Sequence, residues 1–322
     1  MIIKRFISLL ILLLFCSICY GKTSKNKQPI SIIINDWSSQ IVLAHITGRV
    51  LNSAGYKTKY SFSPINEQWG SLSQGIDHVQ IEVWEGTMAT MFERVIKSGN
   101  VLDAGSHKAT TREEWWYPSY VELLCPGLPD WRALKKCSAL FSNDGSNTGR
   151  YIAGPWEKPE AARIRALGLN FKIDTVKKTD DLWSELKEAV KHNKAIVLFN
   201  WSPNWVEAVY EGKFVEFPEY QKECEIDPKW GINPEFHYDC GNPKNGYLKK
   251  AVWKGLKKKW PCAFKIIKNI SFDNQSISAL AATVDFKKLS YKEAAKQWTD
   301  ENKHIWHQWI PNTCKLGSTL ND

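Results

Sequence analysis

Apolar residues in the first hundred positions alternate between short runs and longer stretches with helical spacing. The short runs Ser31 to Asn35, Tyr56 to Phe62 and Val79 to Val83 predict strands, the first and last of them buried. Helical spacing predicts helices at residues 40–54, 64–72 and 87–98, and glycine follows the first and third of these. The resulting β-α-β-α-β-α order predicts an α/β fold with a mostly parallel sheet and helices on both faces.

A second α/β unit is predicted over roughly Tyr120 to Val209. An extended aromatic segment and a long polar loop at residues 142–155 precede its regular part. The pattern predicts a short helix at 131–141, a helix at 159–167, a strand at 170–174 and a helix at 180–192. The unit ends with Ile196 to Phe199, an unbroken apolar run typical of a buried strand. We expect this strand to stop at Asn200-Trp201-Ser202-Pro203, because proline cannot continue regular structure.

The remaining third of the chain is irregular at first and then helical. Helices are predicted at residues 247–260, 263–268, 275–286 and 291–310. The first is lysine-rich, and its Leu248, Val252 and Leu256 recur at helical spacing, so the lysines form its solvent face. Capping residues precede the last two helices: Asp273 for one, and the capping-box pair Ser290 and Glu293 for the other. Such a tail lying back on the first unit indicates a two-lobed protein.

A tryptophan stands at the carboxyl end of three predicted strands, as Trp37, Trp84 and Trp201. In open α/β sheets ligands bind beyond the carboxyl ends of the strands, so these rings predict an aromatic-walled pocket. The alternative is that each ring caps the core over its own strand, since tryptophan is often largely buried. The chain's 16 tryptophans favour recognition surfaces, although tryptophan also packs cores.

The first 21 residues have the features of a secretory leader. Lys4 and Arg5 precede an apolar stretch that is shorter than the roughly 20 residues a spanning helix needs. Loss of these two charges on cleavage lowers the formal net charge from +9 to +7. We expect a periplasmic protein; a lipid-anchored alternative would acylate Cys16 or Cys19, although a bulky residue precedes each.

The predicted organisation follows from these patterns. It is a leader at residues 1–21, a flexible tail at 22–29, a first lobe at 30–118, a second lobe at 119–212, a return to the first lobe with C-terminal helices at 213–314, and a tail at 315–322.

Six cysteines remain after the leader, and an even number in an exported protein indicates disulfides. Six cysteines allow fifteen pairings. Proximity favours two pairs and leaves a third: Cys125–Cys137, Cys224–Cys240 and Cys262–Cys314. Structural zinc is disfavoured because no Cys-x-x-Cys pair occurs.

Motifs for catalysis or nucleic-acid binding are missing from the sequence. There is no Gly-x-Ser-x-Gly, no His-Glu-x-x-His, no phosphate loop, and no basic stripe within a recognisable nucleic-acid module. A glycoside hydrolase remains an alternative, because carboxylates stand near the expected pocket walls, at Glu82, Glu85, Glu113 and Glu114. We predict a binding protein without a cofactor. A calcium site is a weaker alternative at an irregular acidic segment with Glu223, Glu225, Asp227 and Asp239, where a disulfide-stapled connection with solvated acids is the preferred interpretation.

Tryptophan rings bind sugar faces and cations. Several rings around one point suit a quaternary ammonium, which is held by cation–π attraction and needs no hydrogen bond at its methylated head. The other end of such a ligand needs a few polar partners. Candidates beside the strand-end tryptophans are Asp36, Ser39 and Asn200. A carbohydrate-binding protein is the rival interpretation, but sugar sites surround ring edges with many polar groups.

Six passages carry a resemblance to a known family: NDWSSQ (35–40), EVWEGTM (82–88), WWYPSY (115–120), CPGLPDW (125–131), ALGLNF (166–171) and VLFNWSPNWV (197–206). The chain resembles the substrate-binding proteins of glycine betaine/choline/trimethylamine N-oxide ABC importers over about residues 30–311. The resemblance implies a type II periplasmic binding protein, a monomer of Venus-flytrap shape, that delivers its solute to a membrane permease. It also supports the Cys125–Cys137 pair.

The resemblance implies positions for the cage. Family cage positions fall on Trp37, Trp84 and Trp201, and the fourth wall is expected at Trp115 or Trp116. Glu113 falls where the trimethylamine N-oxide branch has a polar ligand partner, whereas Ser39 stands where choline-type relatives carry an acid. A buried acid repels the carboxylate of a betaine. We therefore expect trimethylamine N-oxide first, then glycine betaine, then choline.

Overall fold

One long strand connects two β-sheets in the computed structural model, which describes residues 28–156 and 159–315. The strands are β1 (Ile30–Ile34), β2 (Thr58–Phe62), β3 (Val79–Trp84), β4 (Val101–Pro118), β5 (Pro126–Pro129), β6 (Gly149–Ala153), β7 (Phe171–Thr175), β8 (Val197–Ser202), β9 (Gly212–Phe214) and β10 (Gly246–Trp253). The connecting strand is β4.

The helices complete two lobes around these sheets. They are α1 (Ser38–Ser53), α2 (Gln68–Gln74), α3 (Glu85–Lys97), α4 (Val121–Leu124), α5 (Leu134–Cys137), α6 (Glu160–Ala166), α7 (Thr179–Lys191), α8 (Val206–Val209), α9 (Leu256–Lys259), α10 (Pro261–Asn269), α11 (Asn274–Asp285), α12 (Tyr291–Glu301) and α13 (Lys303–Trp306). Helices α11 and α12 pack on α1, so the C-terminal part returns to the first lobe as expected.

The two sheets share β4. The first has the order β2-β1-β3-β10-β4, in which β1, β2 and β3 are parallel and β10 is antiparallel to both of its neighbours. The second continues β4-β8-β6-β7, with β8 antiparallel to β4 and parallel to β6, while β9 pairs with the end of β4. The two-lobed α/β fold is confirmed, but its sheets are mixed and not mostly parallel, because β10 pairs antiparallel with β3 and β4, and β8 and β9 pair antiparallel with β4; the residue bounds of the lobes stay a prediction.

These strand directions place a cleft between the lobes. Strands β1 and β3 run in the same direction as β4, so their carboxyl ends point towards the second lobe. Strand β8 runs the opposite way, so its carboxyl end points towards the first lobe. Register pairs Glu113 of β4 with Trp201 of β8 at this crossing. Residues that follow β1, β3 and β8 therefore meet there.

Apolar runs explain the central strands. β1 is Ile-Ser-Ile-Ile-Ile and is buried along nearly all of its length, as a strand covered on both faces must be. β3 is buried at every position although it contains Gln80 and Glu82. Gln80 is satisfied by hydrogen bonds with Gln40 and Asn35. The buried polar positions of β3 thus lie behind the cleft.

The predicted helix at 247–260 is wrong. The chain forms strand β10 there, followed by the short helix α9, because β3 and β4 leave a strand position open between them. The lysines are accommodated individually: Lys249 forms an ion pair with Asp103 at 3.0 Å, and the buried Lys250 donates to the carbonyl of Lys268 at 2.9 Å. Helical spacing of three apolar residues did not outweigh this pairing.

Two further expectations need correction, and one is refined. The polar loop at 142–155 contains strand β6. Strand β8 runs three residues beyond the apolar run, through Ser202, because β4 is long enough to pair with it, and it ends before Pro203 as predicted. The last predicted helix ends at Glu301 and is followed by short helical turns.

Other local predictions are confirmed. The three disulfides join Cys125 to Cys137, Cys224 to Cys240, and Cys262 to Cys314. Asp273 caps α11 by accepting from the backbone N–H of Ser276, and Ser290 forms a capping box with Glu293 at the start of α12.

Candidate functional site

A cavity lies where the carboxyl ends of β1, β3 and β8 meet. About 300 Å³ of space there is not filled by protein atoms, including solvent at the cavity mouth, so the site suits a small solute. Four of its walls are indole rings. The lining residues are Trp37, Ile65, Trp84, Thr87, Met88, Glu113, Trp156, Phe199 and Trp201.

Two tryptophans form the wall of the first lobe. Trp37 follows β1 and precedes α1, and Trp84 ends β3 just before α3. Their indole N–H groups donate to the same oxygen, Oε2 of Glu82, at 2.8 and 2.9 Å. Ser39 donates to that oxygen as well, at 3.1 Å. One carboxylate thus fixes the orientation of both rings.

Glu82 itself is fully buried in the centre of β3. Burial raises its pKa from 4.5 to about 7, while the hydrogen bonds from Trp37, Trp84 and Ser39 act in the opposite direction. Its backbone N–H donates to Oε1 of Gln80 at 3.1 Å. Its other carboxylate oxygen, Oε1, has no hydrogen-bond partner within the described part of the chain. The site therefore contains a buried acid that is close to its ionisation midpoint at neutral pH.

The wall of the second lobe is built by ring packing. Trp156 meets Trp201 edge to face, with ring centroids 5.3 Å apart, and lies 5.6 Å from Phe199. Trp201 in turn packs against Trp183 of α7 at 5.2 Å. Trp156 also meets Trp37 of the first lobe edge to face at 6.3 Å. Ring contacts therefore connect Trp37, Trp156 and Trp201, and the shared Glu82 oxygen connects Trp84 to Trp37, so the four rings form an aromatic box.

Trp156 was missed by the sequence analysis. It follows β6, so it obeys the same strand-end rule as Trp37, Trp84 and Trp201, but the polar sequence around β6 predicts a loop. The ring folds back over Gly154, where a Cβ would lie 2.2 Å from a ring carbon. The available signal was the apolar stretch Tyr151 to Ala153 that leads into Gly-Pro-Trp.

Trp115 and Trp116, the expected fourth wall, lie in the core. Both are fully buried and neither lines the cavity. Trp115 stacks on Tyr151 with centroids 4.0 Å apart, and its N–H donates to Glu160 at 2.7 Å. Trp116 packs over Gly212 of β9, where no Cβ would fit. Both rings stabilise the second lobe, and Trp156 takes the position expected for them.

Glu113 lies at the cavity, at the crossing of the two sheets. Its side chain is 5 % exposed and accepts a hydrogen bond from the hydroxyl of Thr87 in the first turn of α3. A Cβ on Gly86 would lie 2.5 Å from its Oε2, so glycine is needed for the close approach of the helix. Asn242 donates to its backbone carbonyl at 2.6 Å. The structure thus places one carboxyl group among the cavity walls.

The three weaker candidates occupy different places. Asp36 is exposed at the cleft edge and accepts from the indole N–H of Trp156 at 3.2 Å, while its backbone carbonyl accepts from Thr179 at 3.2 Å. Ser39 is buried against Glu82. Asn200 is buried on the opposite face of β8 from Phe199 and accepts from Asn204 at 2.9 Å. None of the three lines the cavity.

No group of three or more His, Cys, Asp or Glu side chains in residues 28–156 and 159–315 is arranged to hold a metal ion. In the segment considered for calcium, Glu223 and Asp227 are exposed, and Asp239 is buried and accepts from the backbone N–H of Asn233. Within those same ranges, no helix has the length and apolar character required to cross a membrane. The proposed leader and its Cys16 and Cys19 lie outside the described residues.

Comparison with known proteins gives a family match over most of the chain. Residues 28–301 match the substrate-binding domain of ABC-type glycine betaine transport systems. A trimethylamine N-oxide-binding protein of Pelagibacter ubique (strain HTCC1062) is 36 % identical over 319 residues, covering 94 % of this chain and 98 % of the relative. The glycine betaine/carnitine transport binding protein GbuC of Listeria monocytogenes is 26 % identical over 147 residues, covering 46 % of this chain and 42 % of that protein.

Solved structures share the fold. Lactococcal OpuAC in its closed, glycine betaine-bound form has a TM-score of 0.68 at 20 % identity, covering 88 % of this chain and 100 % of that one. A choline-binding protein of an ABC transporter, in complex with choline, has a TM-score of 0.70 at 14 % identity, covering 90 % and 95 %. ProX of Borrelia burgdorferi has a TM-score of 0.71 at 18 % identity, covering 89 % and 98 %. At these identities the likeness describes the fold.

Proposed function

This chain belongs to the family of substrate-binding domains of ABC-type glycine betaine transport systems, and from that premise we propose that it captures a trimethylated amine in the aromatic box between its lobes. It is the extracytoplasmic solute-binding component of an ABC importer and passes its ligand to the membrane permease. The ligand, the residues that hold it and the mode of capture are the proposed part.

The observation that carries the proposal is the convergence of four indole rings on one small cavity together with a single carboxyl group. Trp37 and Trp84 come from the first lobe, and Trp156 and Trp201 from the second. A trimethylammonium head fills such a box through cation–π contacts that are strongest where water is excluded. Glu113 then faces the polar end of the ligand. Capture from both lobes couples binding to closure of the cleft.

Glu113 favours trimethylamine N-oxide over the other two candidates. The N-oxide oxygen is an acceptor and can share one proton with the Glu113 carboxyl group. The carboxylate of glycine betaine at the same place would repel an ionised Glu113. Choline offers a hydroxyl donor. At the position where choline-type relatives carry an acid, however, this chain has Ser39, whose hydroxyl donates to Glu82. The similarity to a trimethylamine N-oxide-binding protein also supports trimethylamine N-oxide as the first candidate.

The proposed role includes neither catalysis nor a cofactor. The carboxylates considered for a glycoside hydrolase are placed differently from an acid–base pair, since Glu82 is enclosed by its tryptophans and Glu114 forms an ion pair with Arg163 at 2.7 Å in the core of the second lobe. Few polar side chains line the cavity, which disfavours a sugar. We place the mature protein in the periplasm as a monomer after removal of the leader.

Calorimetric titration with trimethylamine N-oxide, glycine betaine, choline and glucose tests the proposal. The expected order is trimethylamine N-oxide first, with no heat from glucose. Glu113→Gln should reduce affinity for the N-oxide by about tenfold, the usual loss for one hydrogen bond to a charged group. Tight binding of glycine betaine with none of the N-oxide would contradict the role given to Glu113. Binding of glucose alone would contradict the cage.

A further inference from the structure

The buried carboxylate of Glu82 lies behind the cage and does not line the cavity. We propose that Glu82 is a positioning and charge-selecting residue, whose Oε2 atom orients both first-lobe rings and whose negative charge makes the cage prefer a cation to a neutral molecule of the same shape. This inference rests on the proposed function, because it concerns how the same cavity distinguishes its ligands.

The orienting role follows from the hydrogen bonds. Two indole N–H groups from different segments, those of Trp37 and Trp84, meet one oxygen at 2.8 and 2.9 Å. Neither ring can rotate about its own side-chain bonds without breaking its bond to Glu82. A single acceptor therefore sets the angle between two walls of the box, and a loss of the acceptor releases both walls together.

The electrostatic role follows from the burial of Glu82 and from the neutral character of its hydrogen-bond donors. Its three side-chain donors, from Trp37, Trp84 and Ser39, are all neutral, and none neutralises a carboxylate. Burial and these three hydrogen bonds account for the shift of its pKa, and no charged side chain is among the causes. An ionised Glu82 therefore leaves a net negative charge behind the rings, and a cation in the box is its counter-charge.

The hydrogen bonds also transmit that charge to the rings. An N–H group that donates to a carboxylate forms a charge-assisted bond. Such a bond makes the indole more electron-rich, and the attraction of a ring face for a cation depends on its negative potential. The walls contributed by Trp37 and Trp84 should thus select for charge more strongly than those of the second lobe, where Trp201 is held by ring packing and Trp156 donates to the exposed Asp36, whose charge is screened by solvent.

Glu160 provides a matched control. It is another buried glutamate that accepts an indole N–H, from Trp115 at 2.7 Å, but it lies in the core of the second lobe and does not line the cavity. It is also paired with Arg163 at 3.2 Å. Glu160→Gln therefore removes the charge of a buried glutamate that accepts an indole N–H, without touching the cage.

The experiment compares Glu82→Gln, Glu82→Leu and Glu160→Gln with the wild-type protein. Each is titrated with trimethylamine N-oxide, with choline, and with 3,3-dimethylbutan-1-ol, in which carbon replaces the nitrogen of choline. Indole N–H signals in ¹H–¹⁵N spectra report ring orientation, and thermal unfolding confirms that each variant is folded. Gln retains an acceptor without the charge, and Leu removes both.

We expect wild-type protein to prefer choline to its neutral isostere by about tenfold or more, the low end of what an opposite charge at about 4–6 Å contributes. Glu82→Gln should narrow that preference to about threefold or less and retain the Trp37 and Trp84 indole signals. Glu82→Leu should shift both signals and weaken all ligands. Glu160→Gln should bind all three as wild-type does.

The outcomes separate the inference from the function it rests on. If wild-type protein binds no trimethylated amine, the proposed function is wrong. If it binds them and Glu82→Gln loses choline and the isostere by the same factor, the charge-selecting role is wrong. If Glu82→Leu leaves both indole signals in place, the orienting role is wrong.

Discussion

The two lobes hold their shares of the cage in different ways. Trp37 and Trp84 of the first lobe are tied by hydrogen bonds to one buried carboxylate, Glu82. Trp156 and Trp201 of the second lobe are held mainly by packing against each other and against Phe199. Trp156 also donates its indole N–H to the exposed Asp36 of the first lobe. Hydrogen bonds fix an angle, whereas edge-to-face packing tolerates several. The first lobe thus presents a preformed half-cage, and the second presents rings that adjust as the cleft closes.

The largest effect expected from this difference is on stability. The pKa of Glu82 is raised from 4.5 to about 7, so folding favours its protonated form. The contribution of Glu82 to the free energy of unfolding is fully present below pH 4.5 and is lost as the pH rises through about 7. The amide side chain of the Glu82→Gln variant does not titrate. The free energy of unfolding of this ligand-free variant, relative to that of wild-type, should therefore rise by about 3 kcal/mol between pH 4.5 and 8. Urea unfolding at several pH values measures this difference.

Glu188→Gln, at a mostly exposed position in the second lobe, serves as the control. Its stability relative to wild-type should vary far less with pH. A Glu82→Gln difference that stays constant over the same range would show that Glu82 is not held in the environment described.

The next effect concerns a first-lobe wall. Trp84→Ala should weaken trimethylamine N-oxide binding by about 2 kcal/mol or more, because it removes a desolvated cation–π contact and one of the donors that stabilise ionised Glu82. Trp230→Ala is the control, since Trp230 is 51 % exposed and does not line the cavity. Calorimetry measures both; equal affinity in Trp84→Ala and wild-type would mean that Trp84 only caps the core.

A second-lobe wall should matter less. Trp201→Ala should cost about 1–2 kcal/mol of binding free energy, because the cation–π contact is lost but the rings of Phe199, Trp156 and Trp183 can move into part of the space. Titration under the same conditions as for Trp84→Ala provides the comparison. A larger loss at Trp201 than at Trp84 would reverse the assignment of the preformed and the adjustable half.

The smallest effect concerns the contact between lobes at Asp36. Its carboxylate accepts the indole N–H of Trp156, which joins the first lobe to a second-lobe wall. Trp156→Phe and Asp36→Ala should each speed ligand release severalfold. This change corresponds to about 1 kcal/mol or less in the activation free energy of dissociation. Stopped-flow fluorescence measures release. If the contact acts as described, the double variant should release no faster than the single ones, and additive effects would contradict it.

Much of this architecture could be predicted, and the failures have physical causes. Short apolar runs identified β1 and β8, because buried central strands need apolar side chains on both faces, whereas β3 was recognised despite its Gln80 and Glu82. The helix predicted at 247–260 failed because Lys249 and Lys250 suggest solvent exposure. In the protein one pairs with Asp103 and the other donates to backbone carbonyls, so the strand is compatible with its lysines.

The site was predicted in part for the same reason. Trp37, Trp84 and Trp201 followed from recognised strands, whereas Trp156 follows β6, which glycine and polar residues disguised. Trp115 and Trp116 lie on a recognised extended segment, but periodicity cannot tell a core ring from a cavity ring. The role of Glu82 required the three-dimensional contacts, since neighbours in sequence do not reveal that Trp37 and Trp84 share one oxygen.

A crystal structure of the protein with trimethylamine N-oxide tests the central claim most directly. The account predicts the methylated nitrogen within about 6 Å of the ring centroids of Trp37, Trp84, Trp156 and Trp201, the range of cation–π contacts, with the N-oxide oxygen at hydrogen-bond distance from Glu113. A ligand bound outside this box, or one whose oxygen points away from Glu113, would contradict it.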